Sequence, residues 1–327
     1  MQRISHINPG LWALAGAVAT TLGCSSGGND SLPTSAPTSL ERIADEGFTN
    51  AGAVAVSPDG ETFYVLAYDE SLQPTVFSLD VASKTLEAMH SGAPILYPSD
   101  VATSCDGETL FVADMGSAAA ETEIGSSDEM QNMPRAGGIY LLSASGGTPS
   151  KLDATGISAA SGVVVSDDCE ALFVSGWTDG GAPAVFKLPL AGGTSSVIHE
   201  GAPLVNPGGI HVDASNVSWV MDFAARGEEG EGSLFAITAS GDVSPALTGV
   251  GMGRAGAVSL VPGGLTAIVP ATDGESKAFL IVANTESGAK EIIDQPELQS
   301  PTGVAAARNA PVMAIATEDA IYTATFE

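Results

Sequence analysis

The amino-acid sequence predicts an all-β fold, a six-bladed β-propeller of four-stranded antiparallel blades. One apolar motif recurs through most of the chain, a turn signature follows its best copies, and every copy carries several short strands. A repeat of this length and strand content is typical of propellers. The copies recur every 46–48 residues, except for one interval of 62 that holds an insertion from residue 115 to 138. Six positions are equivalent: Ala53, Asp100, Gly162, Gly209, Ala257 and Gly303.

Each copy has the same order of parts. In the first copy a short apolar strand at residues 54–56 leads to the turn 57–60, whose Asp and Gly favour a hairpin. A second strand at 62–67, a variable loop and a third strand at 76–79 follow. The inner strands are apolar on both faces, as expected if neighbouring blades cover them. The fourth strand is more polar, which predicts an outer position against solvent.

The sixth copy lacks a fourth strand, because the chain stops soon after its third. Residues Ser39–Ala44 precede the first copy and look like that missing strand. We predict that they pair with Ile321–Thr325 and close the ring. Closure would remove an exposed sheet edge that favours aggregation.

The first residues resemble a bacterial lipoprotein signal peptide. Arg3 precedes an apolar run of about 12 residues, too short to span a bilayer as a helix. The run ends at Gly23-Cys24, so residues 1–23 are the predicted signal peptide and Cys24 the predicted lipidation site. Residues 24–38 are rich in Ser, Gly and Pro and predict a flexible tether, and residues 39–327 form the propeller. An ordinary cleaved signal peptide is the alternative.

The charge balance narrows the classes of partner that the protein is expected to bind. The formal net charge is −28, with 39 acidic and 11 basic residues. Nucleic acid binding is disfavoured, since it needs clustered Lys and Arg. The membrane is therefore expected as a partner only through the lipid anchor. The acidity suits solubility, and it leaves cations, basic proteins and small molecules open as ligands.

Two further cysteines fall in equivalent turns of neighbouring blades. Cys105 lies in the second copy and Cys169 in the third, each just after the first strand. In an oxidising compartment they are expected to form a disulfide. Two free thiols are the alternative, because the two positions are offset by two residues and disulfide geometry is strict.

Residues 49 to 327 resemble NHL-repeat propellers and the gluconolactonase (senescence marker protein) family. The shared phrases are Ser-Pro-Asp-Gly at 57–60, Leu-Phe-Val-Ala-Asp at 110–114 and Pro-Gly-Gly-Ile-His-Val-Asp at 207–213. The resemblance implies a divalent cation held by a Glu, an Asn and an Asp at the channel mouth. Here Asn50 stands at the Glu position, and Asp100 and Asn206 are the other candidate ligands. Ca²⁺ or another divalent cation is the implied cofactor, with Asp100 and Asn206 as possible metal ligands.

Loops between second and third strands should share one face of the ring, which is where a ligand is expected. The candidate residues on this binding face are Asp114, Glu121, Glu123, Trp177, Asp179 and Asp222. The insertion 115–138 is either a lid over the channel or a surface loop. The acidic loops are either cation ligands or solvated faces. His211 lies in an inner strand and is expected to be a hydrogen-bonded core residue.

No catalytic signature supports an enzyme. The sequence has no Gly-x-Ser-x-Gly elbow and no phosphate-binding loop. The preferred hypothesis is a lipid-anchored scaffold of the bacterial envelope that binds a protein or a small molecule. It is expected at the outer membrane, facing the periplasm or the cell surface. A metal-dependent lactonase and a subunit of a larger envelope complex are the alternatives, since one fold serves many functions.

Overall fold

A computed structural model describes residues 39–116, 137–225, 231–251, 257–261, 266–272, 278–285, 287, 289–294 and 297–325. Across these ranges every regular element is a β-strand, and the strands form six four-stranded antiparallel sheets arranged in a ring. The predicted six-bladed β-propeller is therefore confirmed.

The first half of the ring follows the predicted order of strands. The first strand of the chain is β1 (Ser39–Ala44), which belongs to the last blade. Blade 1 contains β2 (Thr49–Val56), β3 (Thr62–Tyr68), β4 (Pro74–Asp80) and β5 (Thr85–Ser91). Blade 2 contains β6 (Pro98–Thr103), β7 (Thr109–Asp114), β8 (Gly138–Ser143) and β9 (Ser150–Lys151). Blade 3 contains β11 (Ile157–Val165), β12 (Ala171–Thr178), β13 (Pro183–Pro189) and β15 (Ser196–Glu200). A short parallel pair, β10 (Ala154–Thr155) and β14 (Gly193–Thr194), lies beside it.

The second half repeats this arrangement. Blade 4 contains β16 (Pro207–Val212), β17 (Ser218–Asp222), β18 (Glu231–Ile237) and β19 (Val243–Gly251). Blade 5 contains β20 (Ser259–Leu260), β21 (Thr266–Thr272), β22 (Ala278–Asn284) and β23 (Lys290–Asp294). Blade 6 contains β24 (Pro301–Ala306), β25 (Val312–Thr317) and β26 (Ile321–Thr325).

Strand β1 completes blade 6, as predicted. It runs antiparallel to β26, with Ser39 opposite Thr325 and Arg42 opposite Tyr322. The Lys84 ammonium of blade 1 lies 2.7 Å from the Glu41 carboxylate of β1. The ring is therefore closed by pairing of two segments from opposite ends of the chain.

The core lies between blades rather than inside any one of them. Strand β3 is the clearest case, because its alternate side chains enter two different hydrophobic clusters. Phe63 and Val65 pack toward blade 6, whereas Tyr64 and Leu66 pack toward blade 2. Since successive residues of a strand point to opposite faces, a strand covered on both sides must be apolar throughout. Outer strand β5 has no such cover and is largely exposed.

The turn after the first strand is built alike in blades 1–3. Ser57 Oγ donates a hydrogen bond to the Asp59 carboxylate at 2.6 Å and accepts one from the Thr62 amide at 2.9 Å. The same pair of bonds recurs at Ser104 and at Ser166. A Ser and an Asp at this spacing thus satisfy the polar groups of the hairpin within the turn itself.

Several predicted features lie outside the described residues. They are the signal peptide 1–23, the lipidation site Cys24, the tether up to residue 38, and Glu121 and Glu123 of the insertion. In the part of the chain that the structure describes, no helix has the length and apolar character needed to cross a membrane.

Candidate functional site

The six inner strands surround a central channel with a cavity of about 580 Å³. These strands, β2, β6, β11, β16, β20 and β24, all run in the same direction along the axis. We call the end where they begin the front end, and the end where they pass into the hairpin turns the turn end. A cavity of this volume lies within the range that holds small molecules.

Asp100 is the one carboxylate at its level of the channel, because the equivalent positions in the other blades carry only Gly or Ala. Its carboxylate accepts hydrogen bonds from the Val101 amide and from the Val163 amide of blade 3, both at 2.9 Å. Burial raises the pKa of Asp100 to about 7, although the two backbone hydrogen bonds act in the opposite direction. Asp100 therefore joins two blades and titrates near neutral pH.

The small residues at this level have a steric reason. A Cβ added at Gly162 would lie 2.6 Å from the Gly208 carbonyl oxygen of the next blade. A Cβ at Gly303 would lie 3.0 Å from Cα of Ala53. Glycine therefore lets the inner strands approach each other closely around the axis.

His211 lines the channel in blade 4. Burial lowers the pKa of His211 to about 4, the Arg308 guanidinium lowers it further, and Asp213 partly opposes them. The imidazole is therefore neutral at physiological pH. His211 is partly buried and borders the channel, and its role as a hydrogen-bonded core residue stays a prediction.

Arg308 reaches across the turn end of the channel. It lies in the turn after β24 of blade 6, and its guanidinium donates to the Val165 carbonyl of blade 3 at 3.1 Å. The same group lies 3.3 Å from the Asp167 carboxylate. Blades 6 and 3 are opposite each other in a six-membered ring, so Arg308 spans the axis. Sequence reasoning missed this role of Arg308, and the one available signal was the rarity of basic residues in an acidic chain.

The two cysteines also meet at the turn end. Cys105 and Cys169 form a disulfide between blades 2 and 3, with their Cα atoms 5.9 Å apart. Both residues contribute to the wall of the channel. The expected disulfide is confirmed. The two cysteines stand at different positions of their turns, offset by two residues, and the bond forms between these positions.

At the front end, carboxylates hold the loops that lead into the inner strands. Asp114 accepts hydrogen bonds from the amides of Leu96 at 2.7 Å, Tyr97 at 3.2 Å and Gly116 at 2.6 Å. Burial raises the pKa of the Asp114 carboxyl, while these backbone hydrogen bonds lower it. Asp114 thus lies beneath the face where the sequence placed it as a contact residue.

Asp222 has the same role two blades further on. It accepts from the amides of Val205 at 2.8 Å, Asn206 at 3.0 Å and Ala224 at 3.0 Å. Burial raises the pKa of Asp222 as well, again against its backbone hydrogen bonds. In both blades a buried carboxylate therefore orders the backbone of the front face. The prediction that Asp114 and Asp222 are themselves contact residues was wrong, because their side chains are buried beneath that face.

Trp177 is not part of the front surface. Its side chain is only 1 % exposed, so the prediction that it lies at the binding face was wrong. Strand β12 continues to Thr178, and Trp177 is paired with Pro183 and Ala159 on either side. It therefore still lies between covered sheet faces. Asp179, two positions further, is exposed in the following turn, as a contact residue would be.

The three candidate metal ligands differ in their relation to the cavity. Asp100 lines the cavity, whereas Asn50 and Asn206 are absent from its wall. Asn50 is exposed in a left-handed backbone conformation, and the backbone N–H of Asn206 donates to Asp222. Across the described ranges no group of three or more His, Cys, Asp or Glu side chains is arranged to hold a metal ion. The ligand set of Asn50, Asp100 and Asn206 that the family resemblance implies stays a prediction.

Comparison with known proteins places the chain by its fold. No protein-family profile matches the sequence, and no curated protein sequence matches it. Among solved structures, the gluconolactonase XC5397 from Xanthomonas campestris is similar, with a TM-score of 0.61, 14 % identity, and 88 % of this chain and 89 % of that one covered. The propeller of a nidogen/laminin complex has a TM-score of 0.60, 14 % identity, and 80 % and 86 % coverage. TolB from Acinetobacter baumannii has a TM-score of 0.57 and 14 % identity over 77 % of this chain and 55 % of TolB. At these identities the similarity establishes a six-bladed β-propeller.

Proposed function

We propose that this protein is a lipid-anchored binding scaffold of the bacterial envelope, with the front face of its propeller as the contact surface. Its partner is a protein or a small molecule, and the chain itself performs no chemistry on it. The front face combines ordered loops with exposed apolar side chains. Leu72 and Leu96 lie in two connections at this end and are both exposed.

This proposal rests on the hydrogen bonds that the carboxylates at the front end accept from backbone amides. The carboxylates of Asp114 and Asp222 each accept hydrogen bonds from three backbone amides. Asp69 holds the loop of Leu72, accepting from the amides of Ser71 at 2.8 Å and Gln73 at 2.9 Å. Groups committed in this way order a surface before any partner arrives. Such an ordered surface favours binding, because less conformational entropy is lost on association.

The disulfide supports an envelope location. Disulfides persist in oxidising compartments such as the periplasm and are rare in the cytosol. The TolB similarity agrees with such a setting at the level of the fold. Anchoring through Cys24 at the outer membrane is part of the proposal, with the segment 24–38 as the tether.

Site-specific photo-crosslinking in intact cells tests the contact surface. A benzophenone amino acid replaces Leu72 or Leu96 in two variants and Ile292 in a control variant. Ile292 lies on outer strand β23 and is 58 % exposed against 68 % for Leu72, so the two positions are similarly accessible. We expect discrete adducts from the front-face positions and none from Ile292. Identical adduct patterns at all three positions, or no adducts, would contradict a front-face partner.

Fractionation tests the anchor separately. The parent chain is expected in the outer-membrane fraction, and Cys24→Ala is expected in the soluble periplasm. The anchor is disproved if the parent is itself soluble or if the variant stays in the membrane.

One observation favours a second function, a lactonase-type hydrolase. Asp100 is a channel carboxyl whose pKa burial raises to about 7, a range suited to a general base. Hydrolysis of a simple aldonolactone by purified protein, with added Ca²⁺ or with a chelator, decides between the two functions. Turnover that disappears with chelator and in Asp100→Asn would establish the hydrolase and exclude the scaffold.

A further inference from the structure

Cys169 occupies a turn position that holds glycine in blades 1 and 2 and Asn216, with φ of 60°, in blade 4. In the turns of blades 1 and 2 the equivalent residues are Gly60 and Gly107, with φ of 82° and 75°. Cys169 has φ of 62°, in the same left-handed region. Each of the three amides donates to the carbonyl of the turn's serine, at 2.9–3.0 Å. Glycine adopts this conformation freely, whereas a residue with a Cβ is strained there.

Besides its hydrogen bonds, the turn of Cys169 carries a covalent bond to Cys105 of the neighbouring turn. Cys105 stands where the first blade has Pro58, a position that needs no left-handed backbone. Both cysteines are only partly buried, and both line the channel. The disulfide is therefore open to attack by an external thiol.

The same turn of blade 3 also holds Arg308. Asp167 and Val165, which contact the guanidinium, lie two and four residues before Cys169. The side chain of Arg308 is 27 % exposed and that of Asp167 is 52 % exposed, so this ion pair is weak by itself. Its geometry depends on the position of the turn. The disulfide thus restrains the turn that carries Asp167, whose carboxylate Arg308 contacts across the axis.

We infer that the Cys105–Cys169 disulfide is a redox-sensitive latch on the turn end of the channel. A dithiol reductant attacks one sulfur through its thiolate, forms a mixed disulfide, and leaves as a cyclic disulfide. Two electrons and two protons pass to the protein, which then carries two thiols. Without the cross-link the strained backbone at Cys169 relaxes, the turn moves, and Arg308 is released from Asp167. The turn end of the channel then opens, and this opening does not depend on a ligand at the front face.

Chemical modification of arginine measures this release directly. Phenylglyoxal is applied to the full chain before and after treatment with a dithiol, and the rate at each arginine is followed by peptide mass spectrometry. Arg42, exposed and paired with Asp45 in the last blade, is the internal control. Reduction is expected to raise the rate at Arg308 about fivefold, the loss of protection from one such ion pair, and to leave Arg42 unchanged. An unchanged rate at Arg308, or an equal rise at both residues, overturns the latch.

Two variants separate the strained residue from the missing bond. Cys105→Ser removes the cross-link but leaves a residue with a Cβ at position 169, so it is expected to react at Arg308 like the reduced parent. The double variant Cys105→Ser/Cys169→Gly supplies the glycine that blades 1 and 2 use. Its turn is expected to stay in place, with Arg308 protected as in the oxidised parent. If the double variant reacts as fast as Cys105→Ser, the strained turn does not drive the opening and the proposal fails.

Discussion

At the turn end of the channel, the disulfide and the Arg308–Asp167 pair join different blades, whereas Asp114 and Asp222 at the front end join loops to nearby strands. The disulfide links residues 64 positions apart, and the Arg308–Asp167 pair links residues 141 apart. Asp114 and Asp222, by contrast, bind amides at most 18 positions away. These turn-end contacts therefore connect blades, and the two front-end aspartates order a surface. Aspartate is used at both ends. Asp167 at the turn end binds a partner 141 positions away, whereas Asp114 and Asp222 bind amides close to them in sequence.

Loss of the disulfide should produce the largest effect and tests the holding role of the turn end. In Cys105→Ser/Cys169→Gly the unfolded chain regains the entropy of the 64-residue loop. We expect the free energy of unfolding to fall by about 4 kcal/mol, measured by denaturant titration under oxidising conditions. The parent under reducing conditions is the matched comparison and should lose at least as much. A loss below about 1 kcal/mol would mean that the ring does not depend on this bond.

Removal of a front-end carboxylate should come next and tests whether that end is pre-ordered. Asp222→Ala leaves three amides without their acceptor, so we expect a loss of about 3 kcal/mol. Asp179→Ala is the control, because Asp179 is exposed in a turn of the same face, and its effect should be within about 0.5 kcal/mol of zero. Equal losses in the two variants would show that Asp222 does not support the face.

The pH dependence of stability should show a smaller effect, centred between the two ends at Asp100. Burial raises the pKa of Asp100 from 3.8 to about 7, so the folded chain binds this proton more tightly than the unfolded chain. Its contribution to stability is therefore full below about pH 4 and is lost as the pH rises toward about 7. Asp100→Asn should exceed the parent in stability by on the order of 2 kcal/mol near pH 8, with the difference vanishing near pH 4.

His211 is expected to change stability with pH in the opposite direction to Asp100, over an overlapping pH range. Since burial lowers the pKa of His211 from 6.5 to about 4, its contribution is full above about pH 6.5 and is lost as the pH falls toward about 4. His211→Gln should therefore flatten the acid side of the stability curve, and Asp100→Asn the neutral side. A curve of the same shape in all three proteins would contradict both assignments.

The ion pair across the axis should have the smallest effect on stability. Arg308 and Asp167 are partly exposed, so Arg308→Ala is expected to cost less than about 1 kcal/mol. A double-mutant cycle with Asp167→Ala isolates the coupling. A coupling above about 2 kcal/mol would make this pair, rather than the disulfide, the main connection at the turn end.

Sequence reasoning reached the parts of this molecule that the repeat itself encodes. The number of blades, the pairing of Ser39–Ala44 with Ile321–Thr325 and the Cys105–Cys169 bond all follow from equivalent positions in successive copies. The burial of Trp177 was missed because the strand continues one residue beyond it.

Taken alone, the sequence determined the ring and its closure, since repeated strands that are apolar throughout need cover on both faces, and blades placed around an axis cover one another in this way. The tertiary structure alone decided which polar groups meet at the axis. Arg308 and Asp167, or Asp100 and Val163, belong to different repeats and follow no common spacing. Their contacts depend on the diameter and stagger of the ring, which are properties of all six blades together.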